Sequence, residues 1–240
     1  MEQSAPMQAR SVFSRRGEIL IITRKKPPEA VLAMLSGFRR VALVGCGNCA
    51  TACQTGGERE LEQMRTFLEE NGFEVAGTAL PEECCHMLLV KRDLKPLREC
   101  GAEAIVGMAC GDGVQTVADN VRLPVFPAND TLFLGQIERA GVFHEACKMC
   151  GDCILDQTAG ICPVTQCAKS LVHGPCGGQK DGRCEVNRDN ACAWIRIFHR
   201  LREQNRMEVL TRPREDKNYK STAYPRTHSL REANKKGGNT

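Results

Sequence analysis

The stretch CKMCGDCILDQTAGICPVTQCAKSLVHGPCGGQKDGRCEVNRDNAC, residues 147–192, decides how the C-terminal part of the chain folds. It holds eight of the 15 cysteines and few large apolar side chains. A segment this short and this polar cannot bury enough apolar surface to fold without covalent or metal staples. We therefore predict a small domain in which thiols replace a hydrophobic core. The eight thiols belong to Cys147, Cys150, Cys153, Cys162, Cys167, Cys176, Cys184 and Cys192.

Metal binding is the expected role of these thiols. Residues 1–16 lack the apolar run of a signal peptide, and we expect them to be disordered. No stretch approaches the ~18 apolar residues that cross a bilayer, so we expect a soluble, cytoplasmic protein without membrane insertion. In a reducing compartment, a set of cysteines like this one binds metal more often than it forms disulfides.

The spacing of the thiols leaves the metal open. Cys147-x2-Cys150-x2-Cys153 is similar to the opening of a ferredoxin ligand run, and Cys162-Pro163 is similar to its end, at a longer distance. Four thiolates around zinc form a closed structural site from similar spacings. Two [4Fe–4S] clusters, one cluster with one zinc, and zinc alone all stay open. Sequence order does not fix how the eight thiols are grouped.

Upstream of this segment, strands and helices alternate. Residues 41–44 and 104–106 are short apolar runs of the kind found in buried parallel strands, and helical patterns follow both. This alternation predicts an α/β domain over residues 17–141 with a doubly wound, flavodoxin-like or Rossmann-like parallel sheet. We expect a first strand at residues 19–23 and a loop at 110–113. The cysteine-rich domain then covers residues 142–210 and includes a terminal helix.

A second group of thiols follows the predicted parallel strands. In an open parallel sheet, ligands gather beyond the carboxyl ends of the strands. Four of these thiols could therefore hold one [4Fe–4S] cluster. The residues are Cys46, Cys49 and Cys53 after the first buried strand, Cys84 and Cys85 after the second, and Cys110 after the third.

Two other classes of function are disfavoured. Residues 45–50 fit the dinucleotide pattern G-x-G-x-x-A, but two variable positions are cysteines and no acidic residue ends the second strand to bind a ribose. The net charge is +4, while residues 211–240 alone carry eight Lys and Arg against three Asp and Glu, or +5. The rest of the chain is therefore close to neutral, which argues against nucleic-acid binding. We expect the basic tail to be disordered.

Three stretches resemble the MetV-type iron–sulfur small subunit of methylenetetrahydrofolate reductase. They are residues 41–58, residues 108–118, and residues 171–186 followed by Cys192-Ala193-Trp194. The last stretch is similar to a cysteine-rich C-terminal module that is also fused to methylenetetrahydrofolate reductases. Nothing in the resemblance applies to the basic tail.

The resemblance implies a non-catalytic, electron-transferring subunit. Its partner would be a MetF-type subunit that carries flavin and folate and reduces 5,10-methylenetetrahydrofolate to 5-methyltetrahydrofolate. Further electron-transfer subunits are not excluded as partners. A zinc-stapled scaffold in such a complex is the alternative. By matching position, the ligands of the first cluster would come from Cys46, Cys49, Cys53, Cys85 and Cys110, which is one thiol more than a cluster needs. Cys84 looks like an addition to the family's set of thiols.

Overall fold

The computed structural model describes residues 20–213 and 215–229. Their fold consists of two compact units that divide between Glu145 and Ala146. The sequence prediction put this division after residue 141. The segment expected to be disordered at the N-terminus, residues 1–16, and the last part of the basic tail lie outside the described residues.

The first unit contains seven strands and five α-helices within the described residues. The strands are β1 (Leu20–Lys25), β2 (Arg40–Gly45), β3 (Glu74–Ala79), β4 (Ala104–Met108), β5 (Val125–Pro127), β6 (Asn129–Arg139) and β7 (Val142–Glu145). The helices are α1 (Pro28–Met34), α2 (Cys49–Ala52), α3 (Glu58–Glu70), α4 (Met87–Asp93) and α5 (Gly111–Asn120), with a 3-10 helix at Lys95–Arg98.

A four-stranded parallel sheet in the order β3-β2-β4-β5 forms the centre of this unit. The chain steps from β2 outward to β3 and then crosses back to β4, which is the flavodoxin-like order. Helices cover both faces, because α4 and α5 pack on the side of Val44 and Ile105, and α1 and α3 pack on the side of Leu43 and Val106. The predicted doubly wound α/β fold is confirmed.

Full burial explains why the apolar runs form the inner strands. Leu43 and Ile105 have no exposed surface. Each such side chain contributes roughly 1.5–3 kcal/mol when it leaves water. The two runs recognised in the sequence therefore specify the two central strands.

The predicted first strand belongs to a different sheet. β1 pairs antiparallel with β6, and β6 pairs antiparallel with β7, in a separate three-stranded sheet. The chain enters β6 directly from β5 through Ala128, whose N–H donates to the Gly107 carbonyl at 2.9 Å and whose carbonyl accepts from the Lys26 N–H at 2.8 Å. These bonds connect the two sheets within the unit.

The loop predicted at residues 110–113 is wrong, because α5 begins at Gly111. Cys110 is extended at the N-cap, and its carbonyl accepts the Val114 N–H at 2.9 Å. The Gly111 N–H, which has no partner within the helix, donates to Thr131 Oγ1 at 2.7 Å. Satisfying a free amide at the first turn stabilises a helix start that glycine alone would not favour.

The second unit has little regular structure and a small core. Its described core consists of five buried residues, Ala159, Ile161, Trp194, Ile197 and Leu201. The Trp194 indole donates from Nε1 to the Leu171 carbonyl at 2.9 Å. Its helices are α6 (Pro163–Gln166), α7 (Ala193–Glu203) and α8 (Glu208–Thr211), followed by a 3-10 helix at Tyr219–Thr222.

Part of the basic tail is folded, which differs from the expectation of disorder beyond residue 210. The Asn218 N–H donates to Asp152 Oδ2 at 2.8 Å, and the 3-10 helix follows directly. We call residues 215–222 the strap. Its contact with Asp152 brings it against the cysteine-rich loop of the same unit.

Candidate metal centres

The first candidate centre lies at the carboxyl edge of the parallel sheet. Strand order reverses between β2 and β4, and a crevice forms beyond the strand ends at such a point. Cys46 directly follows β2, and Cys110 lies two residues beyond β4. Both are buried, with 5% of their surface exposed. The fold thus places two thiols from separate loops at the position where α/β proteins bind ligands.

Backbone hydrogen bonds hold the loops at this edge together. The Cys46 N–H donates to the Gly56 carbonyl at 2.9 Å, and the Gly47 N–H donates to the Pro81 carbonyl at 2.8 Å. The second bond joins the loop after β2 to the loop after β3, which carries Cys84 and Cys85. A Cβ at Gly56 would overlap the end of β4, so this loop also lies against the third strand end.

Cys46 and Cys84 form a coupled pair of thiols. The Cys84 Sγ lies 2.9 Å from the Gly45 carbonyl and also hydrogen bonds with Cys46. This bond lowers the pKa of Cys46 to about 6, although burial opposes the shift, and N–H groups at Asn48 and Ala50 add to the lowering. The same bond, together with burial, raises the pKa of Cys84. These shifts favour the thiolate form at Cys46 over that at Cys84.

Three more thiols share this environment. Burial, opposed by the hydrogen bond from the Ile21 N–H and assisted by the charges of Cys46, Cys110 and Cys85, raises the pKa of Cys49 to about 11. Burial is also the largest cause of the raised pKa of Cys85 and of Cys110. Thiolates this close repel one another, and a bound cation would relieve that repulsion.

Cys53 and Cys49 both contact Ile21 in β1. The Cys53 Sγ lies 3.7 Å from the Ile21 carbonyl, and the Ile21 N–H donates to Cys49 Sγ at 3.4 Å. Burial raises the pKa of Cys53, and hydrogen bonds with Thr23 oppose the shift. Cys46, Cys49, Cys84, Cys85 and Cys110 thus interact electrostatically with one another, whereas the pKa of Cys53 depends on its burial and on Thr23.

The second unit holds one group of thiols on the loop that opens it. The Met149 N–H donates to Cys147 Sγ at 3.3 Å, and Met149 and Gly151 both have positive φ. Such left-handed residues wind the loop tightly, and the Met149 N–H turns back onto Cys147. Thr165 Oγ1 donates toward the Ala146 carbonyl at 3.1 Å and lies 3.4 Å from the Cys162 carbonyl. Cys162 is thereby held beside the loop that carries Cys147, Cys150 and Cys153.

The other four thiols of this unit line one small cavity of about 20 Å³. Two backbone bonds close the loops around it, from the Cys184 N–H to the Asn190 carbonyl at 2.9 Å and from the Cys192 N–H to the Gly182 carbonyl at 2.8 Å. N–H groups at Asn187 and then Val186 lower the pKa of Cys184. The four are Cys167, Cys176, Cys184 and Cys192.

The side chains do not stand at metal-binding geometry. Within residues 20–213 and 215–229, no group of three or more His, Cys, Asp or Glu side chains is arranged to hold a metal ion. His86 accepts the Leu89 N–H at the start of α4, and His144 Nε2 lies 2.6 Å from Glu138 Oε2. Both histidines thus have capping or surface contacts of their own.

Sequence reasoning missed one residue at these centres, whereas the residue pattern included Cys84 at the sheet edge and only the resemblance left it as an addition. Asn48 donates to Glu83 Oε1 at 3.2 Å while its own buried Oδ1 has no hydrogen-bond partner among the described residues. Nothing in the sequence distinguished Asn48 from an ordinary loop asparagine.

Comparisons with known proteins address the C-terminal part of the chain. None of the described helices is long and apolar enough to cross a membrane. No curated protein matches the chain. Residues 126–220 match the family model described as methylene-tetrahydrofolate reductase C terminal, a range that runs from the end of β5 into the strap. The matched residues, which include most of the cysteine-rich unit, are therefore similar to the C-terminal domain of that family.

Proposed function

We propose that this chain is the iron–sulfur subunit of a methylenetetrahydrofolate reductase complex. It would pass electrons to the flavin of a MetF-type partner, which reduces 5,10-methylenetetrahydrofolate to 5-methyltetrahydrofolate. The observation that carries the proposal is the family match over the unit that contains eight of the cysteines. The bound clusters would supply one-electron transfer, and the hydride chemistry would belong to the flavin.

The donor set of the first unit fits one cluster. Cys46, Cys49 and Cys110 have backbone N–H groups as hydrogen-bond partners, which lower the pKa of each thiol, although burial leaves the pKa of Cys49 and of Cys110 raised. Cys85 would complete a set of four, since the Gly47–Pro81 hydrogen bond joins its loop to the loop that carries Cys46 and Cys49. Cys53 is the spare thiol among the five that the resemblance offered. Cys84 would support Cys46 as a hydrogen-bond donor.

The second unit fits two centres of four thiols each. The loop contacts of Thr165 favour one centre at Cys147, Cys150, Cys153 and Cys162. The shared cavity favours another at Cys167, Cys176, Cys184 and Cys192. In both, the thiols would act as staples for a unit whose described core has only five buried residues.

The alternative function is a zinc-stapled scaffold of the same kind of complex. The small cavity between Cys167, Cys176, Cys184 and Cys192 favours it at that centre. About 10–15 Å³ is enough for one water-sized particle, so a cavity of about 20 Å³ suits a single ion better than a cubane. Zinc at this centre and iron at the others would still leave an electron-transferring subunit.

The test replaces single thiols in the complex with the partner reductase. We expect Cys110→Ser to remove the cluster of the first unit, because serine is a poorer ligand for iron–sulfur cores. Electron delivery from the physiological donor should fall, while folate reduction by artificially reduced flavin should stay near wild type. Cys100→Ser is the matched control, because Cys100 Sγ bonds the Leu97 carbonyl at 3.2 Å, away from this group.

Two results would count against the proposal. If both activities fall equally in a complex that still assembles, this chain contributes to the flavin or folate site. If neither activity falls, the thiols of the first unit are structural and the scaffold alternative gains.

A further inference from the structure

Lys217 in the strap is a buried lysine. Only 2% of its side chain is exposed, although its neighbours Asp216 and Asn218 are exposed. Its Nζ lies 3.9 Å from Asp152 Oδ2 and 5.8 Å from the centre of the Tyr219 ring. The Nζ has no hydrogen-bond partner among the described residues.

These contacts do not compensate the buried charge. An ammonium has three N–H donors, and burying it is costly unless it is both paired and hydrogen bonded. The Asp152 carboxylate is 41% exposed and already accepts the Asn218 N–H at 2.8 Å. Asp156, Glu215 and Asp216 line the same cavity together with Arg206 and Arg212, and Asp216 is fully exposed and lies 3.5 Å from His173. None of the described acceptors hydrogen bonds with Nζ, so the buried ammonium lacks a hydrogen-bonded counter-charge.

The cavity beside Lys217 leads to the first group of thiols in this unit. It has a volume of about 560 Å³, and Lys217, Asp152 and Cys153 all line it. Cys150 Sγ lies 3.7 Å from the Asp152 carbonyl, so Asp152 belongs to the loop that presents both thiols. A centre of four thiolates around a divalent ion or cluster core has a net charge of about −2. Such a centre would place further negative charge beside the buried ammonium.

We propose that Lys217 is a positioning residue that balances the charge of a metal–thiolate centre at Cys147, Cys150, Cys153 and Cys162. The strap closes this loop and brings the ammonium to it. The inference rests on the proposed metal centre and adds a residue that the thiol pattern does not contain. The family match extends to residue 220, so Lys217 lies within the matched residues.

The test measures metal release from the full, metal-loaded chain to a chelator. Lys217→Met keeps the length of the side chain and removes its charge. We expect it to lose the metal of one centre about 10- to 100-fold faster, the usual effect of changing a partner of metal ligands. Lys217→Arg should release metal at a rate near wild type. Lys220→Met, on the exposed face of the same strap, is the matched control and should not change the rate.

Asp152→Asn distinguishes an effect of charge at the metal centre from a structural effect on the strap. It keeps an oxygen for the Asn218 N–H but removes a negative charge, so metal release should be as slow as in wild type or slower. If Lys217 only fixes the strap through its ion pair, both Asp152→Asn and Lys217→Met accelerate release, and the charge role is overturned. If Lys217→Met does not fold, Lys217→Gln takes its place. Lys217→Gln should release metal faster than wild type and Asp152→Asn should not, which tests the same point.

Cys150→Ser distinguishes the two proposals. If it lowers the metal content while Lys217→Met releases metal at the wild-type rate, the metal centre stands and the role of Lys217 is overturned. If Cys150→Ser leaves the metal content unchanged, no metal is held at this loop, and both the centre and the role of Lys217 are overturned.

Discussion

Replacing Gly56 by alanine should take apart the first centre without removing any thiol. Gly56 lies in the loop that joins α2 to α3, and its carbonyl accepts the Cys46 N–H at 2.9 Å. A methyl group at Gly56 would overlap the Met108 carbonyl oxygen at the end of β4. It would also lie 2.8 Å from the Met108 carbonyl carbon and 3.0 Å from Ala50 Cβ. The loop must therefore move away from β4, and Cys46 with it.

The loss of stability depends on which atoms the added methyl group would overlap. Overpacking a well-packed site costs roughly 1–3 kcal/mol, and backbone atoms cannot rotate aside, so we expect about 3 kcal/mol for Gly56→Ala. For a unit of this size, that lowers the Tm by roughly 12 °C. The move separates Cys46 and Cys49 from Cys110, so the bound metal should fall by the content of one centre.

Thermal unfolding and metal analysis of the same preparations measure both effects. Gly111→Ala is the control at the same sheet edge, because a methyl group there meets only Thr131 Oγ1, at 3.4 Å, an ordinary contact. Wild-type Tm and metal content in Gly56→Ala would refute the reasoning. A lowered Tm with unchanged metal content would show that the close approach matters for packing but not for gathering the thiols.

Three further predictions concern stability. Leu43→Ala should lower the free energy of unfolding by about 2–5 kcal/mol, since Leu43 is fully buried, whereas Leu132→Ala, at a side chain that is 44% exposed, should have little effect in the same denaturant titration. The N–H groups of Arg39 and then Arg40 donate to Glu103 and hold the pKa of its carboxyl below the usual value of 4.5. The ionised carboxylate therefore stabilises the fold above that pH, and this stabilisation is lost as the pH falls through the lowered pKa. Glu103→Gln should flatten the loss of stability in acid melts. Chelation should abolish amide protection in the second unit while the first unit keeps its sheet, and retained protection in the second unit would show that its core suffices without metal.

The parallel sheet was predictable because its central strands are continuous apolar runs. The strands that contain Val41, Leu43 and Ile105 are buried on both sides of the sheet, and only such a strand accepts an uninterrupted apolar run. The β6–β7 hairpin was not predicted, because Gly135 interrupts the pattern of β6. A Cβ at Gly135 would meet the Ile22 side chain at 2.5 Å, so the glycine serves a close approach to β1 that only the tertiary pairing reveals.

The thiols at the sheet edge were predictable as a group but not individually. Any cysteine after a parallel strand reaches this edge of the sheet, so the sequence offered one more candidate ligand than a cluster binds. Whether a sulfur accepts an N–H, as Cys49 does from Ile21, or lies against a carbonyl, as Cys84 does at Gly45, depends on strand pairing and loop contacts. The role of Lys217 could not be predicted for the same reason, since nothing in the sequence of the basic tail distinguishes it from Lys220.

Iron, acid-labile sulfide and zinc content of anaerobically prepared protein tests the central claim most directly. With twelve thiols in three groups of four, the proposed function predicts about 12 iron and 12 sulfide per chain, or about 8 of each with one zinc if the small cavity holds zinc. Protein that contains zinc alone, or no metal, would contradict the assignment of this chain as an electron-transferring subunit.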